Sequence, residues 1–166
     1  MANKSVVALY PGTFDPVTYG HLDIAERCVR VFDRLIMAIA VNSDKQPLFD
    51  VEERLGMLRE VTGELPGVEV DSFEGLTVEY ARRKGAQVIV RGLRAVSDFE
   101  EELKMASANR KLADEVNTVL MLPSEKYFYL NSSLVKEIAR LGGPVDCFVP
   151  AVVNARLREK LAARAY

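Results

Sequence analysis

Short apolar runs alternate with longer amphipathic stretches from one end of the chain to the other, and no other feature narrows the possible folds as far. Val6 to Tyr10, Leu35 to Val41, Val88 to Val90 with its neighbours, and Thr118 to Leu122 are continuous apolar segments. Parallel strands covered on both faces read this way. Val68 to Phe73 instead alternates apolar with polar residues, which predicts an edge strand with one wetter face. Helical periodicity fills the intervals at about His21 to Val31, Val51 to Val61, Leu76 to Lys84, Asp98 to Asp114 and Ser132 to Leu141, with a last helix near Ala151 to Ala165. Asp50 with Glu53, and Ser97 with Glu100, have the capping-box spacing that satisfies orphan amides at a helix start. Loops are short and no repeat or linker divides the chain. The pattern predicts an α/β fold, one domain over residues 1–166, with a single doubly wound five-stranded parallel sheet and a C-terminal helix.

Composition agrees with one globular core. Hydrophobic residues make up 49% and charged residues 28% of 166. A chain of that size can bury roughly 70% of its unfolded surface. The longest apolar runs fall far short of the about 20 residues that cross a bilayer. The N-terminus lacks the apolar core of a signal peptide, so no membrane association and a cytoplasmic location are expected. A net charge of −2, with both signs spread along the chain, argues against a nucleic-acid partner, because such binding rests on a dense basic face. Cys28 and Cys147 lie in apolar segments without CxxC spacing and read as buried, reduced thiols.

In a doubly wound sheet, ligands bind beyond the carboxyl ends of the strands, where the strand order reverses. The first such loop, PGTFDPVTYGHLD, holds the only histidine, His21, just after Gly20 at the opening of a helix. Unpaired amides and the positive dipole end favour phosphate there. The spacing leaves open whether His21 caps the helix, works as a neutral donor, or is a cation beside a triphosphate. The fourth loop places Arg91 and Arg94 around Gly92 and Leu93, where two guanidinium groups can clamp phosphate oxygens. Lys45 supplies a point charge in the second loop. Asn131, Ser132 and Ser133 open a second helix, as caps or as phosphate ligands. No GxxxxGK[ST] run, GxGxxG run, G-x-S-x-G elbow or metal-ligand cluster accompanies them. The set is an anion cradle without a protein nucleophile, and nucleotidyl or phosphoryl transfer can need little more.

YPGTFDPVTYGH, RGLRAVSDFE and SSLVKEIAR, in this order across nearly the whole chain, resemble the phosphopantetheine adenylyltransferase family of the nucleotidylyltransferase superfamily. The resemblance implies transfer of AMP from ATP to 4′-phosphopantetheine with Mg²⁺ accompanying the nucleotide, and assembly as a homohexamer. By position it makes His21 the residue that stabilises the transition state. It makes Thr13, Phe14, His21, Gly92, Leu93, Arg94, Glu102, Tyr127, Phe128, Tyr129, Leu130, Asn131, Ser132 and Ser133 nucleotide contacts. Thr13, Lys45, Thr77 and Arg91 fall at acceptor positions. Two residues depart from the family pattern: Asn131 stands where a serine is common, and Thr77 where an apolar residue is common. Two other functions share the T-x-G-H element or the fold: a different nucleotidylyltransferase, such as one acting on nicotinamide mononucleotide, and a non-catalytic nucleotide or coenzyme A sensor. RGLRAVSDFE argues against the first, and a retained His21 with both arginines against the second.

Overall fold

The computed structural model describes residues 5–41 and 46–163. Five strands, β1 (Val7–Gly12), β2 (Arg34–Ala40), β3 (Val68–Phe73), β4 (Val88–Gly92) and β5 (Asn117–Met121), alternate with helices α1 (Tyr19–Cys28), α2 (Val51–Thr62), α3 (Thr77–Lys84) and α4 (Val96–Leu112). A 3₁₀ turn, Glu125–Tyr127, then leads to α5 (Ser132–Arg140) and α6 (Ala151–Ala162). All pairings are parallel, in the order β3-β2-β1-β4-β5. The doubly wound sheet expected from the alternation is therefore present, and the order reverses between β1 and β4.

The inner strands are apolar throughout because both faces are covered. On one face, Ala8, Tyr10, Leu35, Met37 and Ile39 pack with Ile24, Cys28, Leu58, Val135 and Leu157 from α1, α2, α5 and α6. On the other, Leu9, Ile36, Ala38 and Ile89 meet Val78, Tyr80 and Ala81 of α3. β3 is an edge strand, in line with its alternation. β5 corrects the expectation of cover on both faces. It forms the opposite edge with four half-buried residues, and Leu122 lies beyond its end and exposed.

Asp50 caps α2 by accepting from Glu53 N–H at 2.8 Å, while the Glu53 carboxylate accepts from Asp50 N–H at 2.8 Å. The second expected box is not the start of its helix: α4 begins at Val96 with Ala95 in the N-cap position, so Ser97 falls in the first turn. Of the two cysteines, Cys28 is buried, whereas Cys147 is exposed, against the expectation for it. It sits in the segment between α5 and α6, where Val145 and Val149 face the core and Cys147 between them does not.

Candidate active site

The carboxyl ends of β1 and β4 open into a cleft of about 310 Å³, at the point where the strand order reverses. Its wall begins with β1. Gly12 has no side chain where the Phe14 ring folds back, and a Cβ there would lie 2.9 Å from the ring. Phe14 itself has a φ of +48°, a left-handed conformation that costs a bulky residue energy. That turn buries the ring edge-on to Tyr10, with centroids 5.5 Å apart, and to His21, with centroids 5.0 Å apart.

α1 starts at Tyr19, two residues before the sequence expectation, because Thr18 is the N-cap. The Thr18 backbone N–H donates to His21 Nδ1 at 3.0 Å. His21 thus occupies the third helical position, where a capping box usually has Glu or Gln. The contact also settles the tautomer. A backbone N–H can only donate, so Nδ1 accepts and the ring proton sits on Nε2. Burial first, and then the Arg94 charge, lower the imidazole to about 4. His21 in the unliganded cleft is therefore a neutral donor.

β4 delivers the arginines. Arg91 Nε and Nη2 donate to the two oxygens of Glu102 on α4 at 2.7 and 2.9 Å. This pair raises the guanidinium further above its ordinary value. Arg94 Nε lies 3.2 Å from Asp98. Gly92 packs closely on α1: a Cβ there would meet Cδ1 at the tip of the buried Ile24 side chain at 2.6 Å.

The third side is the turn after β5. The Ser124 backbone N–H donates to Asp23 on α1 at 2.7 Å, and the Ser124 hydroxyl donates to the same carboxylate. This ties the turn to the helix that carries His21. Tyr127 stacks on Tyr19 with centroids 6.4 Å apart. Asn131 caps α5 by accepting from Leu134 N–H at 2.9 Å, and Ser132 Oγ donates to the Pro16 carbonyl at 2.8 Å.

Of the residues singled out in the sequence, Thr13, Phe14, His21, Arg91, Gly92, Arg94, Glu102, Tyr127, Leu130, Asn131, Ser132 and Ser133 line this one cleft. Leu93, Phe128, Tyr129 and Thr77 do not. Thr77 opens α3, while Phe128 and Tyr129 are exposed. Lys45 lies outside the described residues. The cleft also takes in Tyr10, Ile24 and Pro123, which sequence reasoning passed over because they look like ordinary core and turn residues. Thr18 was legible through its T-x-x-H capping spacing.

The cleft joins two helix starts, two arginines and one neutral imidazole donor at a topological switch point, which is the arrangement of a nucleotide-binding α/β enzyme. Residues 9–138 match the cytidylyltransferase-like family. A putative nicotinate-nucleotide adenylyltransferase from Vibrio parahaemolyticus superposes with a TM-score of 0.70 at 14% identity, over 95% of this chain and 94% of that one, which shows a shared fold.

Sequence relatives resolve the branch. The phosphopantetheine adenylyltransferase of Caldanaerobacter subterraneus subsp. tengcongensis is 55% identical over 93% of this chain and 96% of its own. That of Gloeobacter violaceus is 54% identical over 95% and 98%. The chain belongs to the phosphopantetheine adenylyltransferase family.

Proposed function

We infer that this chain transfers the adenylyl group of ATP to 4′-phosphopantetheine, forming dephospho-coenzyme A and pyrophosphate in coenzyme A biosynthesis. The observation that carries the reading is the neutral Nε2–H of His21, set by Thr18 in a cleft with two arginines and two helix starts. A phosphate oxygen of the acceptor attacks the α-phosphorus in line. The new P–O bond forms as the bond to pyrophosphate breaks, and no protein atom bonds to either substrate. His21 donates to an α-phosphate oxygen as charge develops there. Arg94 and the α5 start, with Ser132 and Ser133, take the leaving phosphates. Thr13, Phe14, Gly92, Glu102, Tyr127, Leu130 and Asn131 shape the nucleotide side. Thr13 and Arg91, both in the cleft, hold the acceptor, and the family resemblance adds Lys45.

Mg²⁺ is proposed to enter with ATP. Among the described residues no group of three His, Cys, Asp or Glu side chains could hold a metal, and Glu102 in the cleft is engaged with Arg91. A cation held mainly by triphosphate oxygens and water fits that donor set, and it neutralises phosphate charge. No helix among the described residues is long and apolar enough to cross a membrane. We place the enzyme in the cytoplasm as a homohexamer, an assembly supported by the exposed apolar residues of α4.

Protein, Mg-ATP and 4′-phosphopantetheine should yield equal amounts of pyrophosphate and dephospho-coenzyme A. Pyrophosphate release with nicotinamide mononucleotide in place of the pantetheine acceptor would point to a different transferase, and tight binding without release to a sensor. Arg91→Ala should weaken phosphopantetheine about 10- to 100-fold, the scale of one charge-assisted contact, and leave dephosphorylated pantetheine nearly unaffected. Equal losses for the two ligands would remove Arg91 from the acceptor phosphate.

A further inference from the structure

We propose that the ion pair of buried Asp15 with half-buried Lys136 locks the two helix starts of the cleft in one geometry and, through Phe14, sets the attitude of the His21 ring. Both are positioning residues for the transfer step, and the proposal rests on the adenylyl-transfer reading above. Neither side chain lines the cleft.

Asp15 is 2% exposed. A carboxylate out of water persists only when its oxygens are filled. Here Oδ1 accepts from Phe49 N–H and Oδ2 from Leu48 N–H, both at 2.9 Å, and the Lys136 ammonium closes on Oδ2. One carboxylate thus gathers the loop after β1, the approach to α2, and α5. The neighbouring residues are held in the same way. Arg54, also buried, donates from Nη1 to the Thr13 carbonyl at 2.9 Å and from Nε to the Asp50 carbonyl at 3.2 Å. Ser132 donates to the Pro16 carbonyl.

Thr13, Asp15 and Pro16 are therefore each fixed by residues distant in sequence, and between them stands Phe14 in its left-handed conformation. Such a conformation survives only where the surroundings over-determine it. Its ring lies against His21 at an interplanar angle of 73°. Loosening the lock releases Phe14, and with it the ring that aims Nε2–H. Lys136 also stands one turn inside α5 from Ser132 and Ser133, so its grip on Asp15 fixes the start of α5 relative to the start of α1.

Lys136→Met keeps the length of the stem and removes the ammonium. It should lower kcat about 10- to 100-fold, as expected for a small misplacement of a donor, with KM for ATP and for phosphopantetheine within about two-fold of wild type. The C2–H resonance of His21, the only histidine, should titrate higher than in the wild-type protein measured alongside, moving toward the ordinary range from which burial and Arg94 lower it. Lys136→Arg should recover most of kcat and restore the titration. Asp15→Asn should reproduce both losses. If the Met variant fails to fold, Lys136→Gln, which still donates to Asp15 without charge, serves the same readouts with a smaller effect. The proposal is overturned by an unchanged kcat, by a raised KM for ATP with kcat intact, which would put Lys136 on the triphosphate, or by an unmoved titration. The titration needs no substrate, so it tests the lock even if the transfer assay fails.

Discussion

Because the Thr18 N–H can only donate, Nδ1 must remain an acceptor, so the ring is uncharged and keeps a single donor, Nε2–H. Burial and the Arg94 charge keep it so, at about 4 against 6.5 for a free side chain. Between these values the unfolded chain binds a proton that the folded chain refuses. This residue's contribution to stability therefore falls as pH drops from 6.5 toward about 4, and it is insensitive to pH above that window. Arg94→Ala removes the second cause and should raise the titration of the single histidine resonance in NMR. A titration that stays put or falls would show that the Arg94 charge does not reach the ring. His21→Ala should cut turnover by about 10²-fold or more, the scale of one lost oxyanion donor, with ATP affinity mostly kept. Steady-state kinetics and nucleotide titration check both halves, and an unchanged kcat would take His21 out of the chemistry.

At the scale of elements, β4 and α1 touch where Gly92 faces Ile24, and this contact sets how closely the arginine strand approaches the histidine helix. Gly92→Ala should destabilise the fold by about 1–3 kcal/mol through overpacking. Ile24→Val, which deletes the offending methyl group, should cost about 1 kcal/mol alone and little or nothing in the Gly92→Ala background. Denaturant unfolding of the four proteins measures the coupling, and strictly additive losses would mean the contact does not limit the approach. These elements were legible where the cue was local. The apolar runs marked the strands, Asp50 and Glu53 marked the start of α2, and the alternation of Val68 to Phe73 marked an edge. Cues failed where the deciding partner was remote or the residue type ambiguous. TVLML reads like a buried strand although β5 closes the sheet. Ser97 looks like a cap although Ala95 holds that position. The links from Asp15 to Lys136 and from Arg54 to Thr13 join residues that only the folded chain brings together. The cleft was legible as three motifs because each sits at a strand end, whereas Thr77 and Tyr129, named only through the family resemblance, lie outside it.

For the whole molecule, α4 is the element least explained by one copy of the chain. Phe99, Leu103, Met105 and Leu112 are each about half exposed on it, although Glu102 on the same helix reaches into the cleft. Phe99 and Leu103, one turn apart, share one side of the helix, and that side is the one we test as a contact surface. On the proposed homohexamer, Leu103→Glu should shift sedimentation toward monomers in analytical ultracentrifugation while leaving the far-UV circular dichroism unchanged. Full-size assemblies in that variant would place the interface elsewhere. A separate consequence follows from the two thiols. Cys28 is buried and its thiol is pushed up to about 12 by burial, so it resists alkylation. Cys147 is open to reagents and precedes Phe148, whose carbonyl receives the N–H of Tyr19, the first residue of α1. The unmodified chain thus carries one accessible thiol for a fluorescent dye, placed where the label would register any shift of the histidine helix as nucleotide arrives.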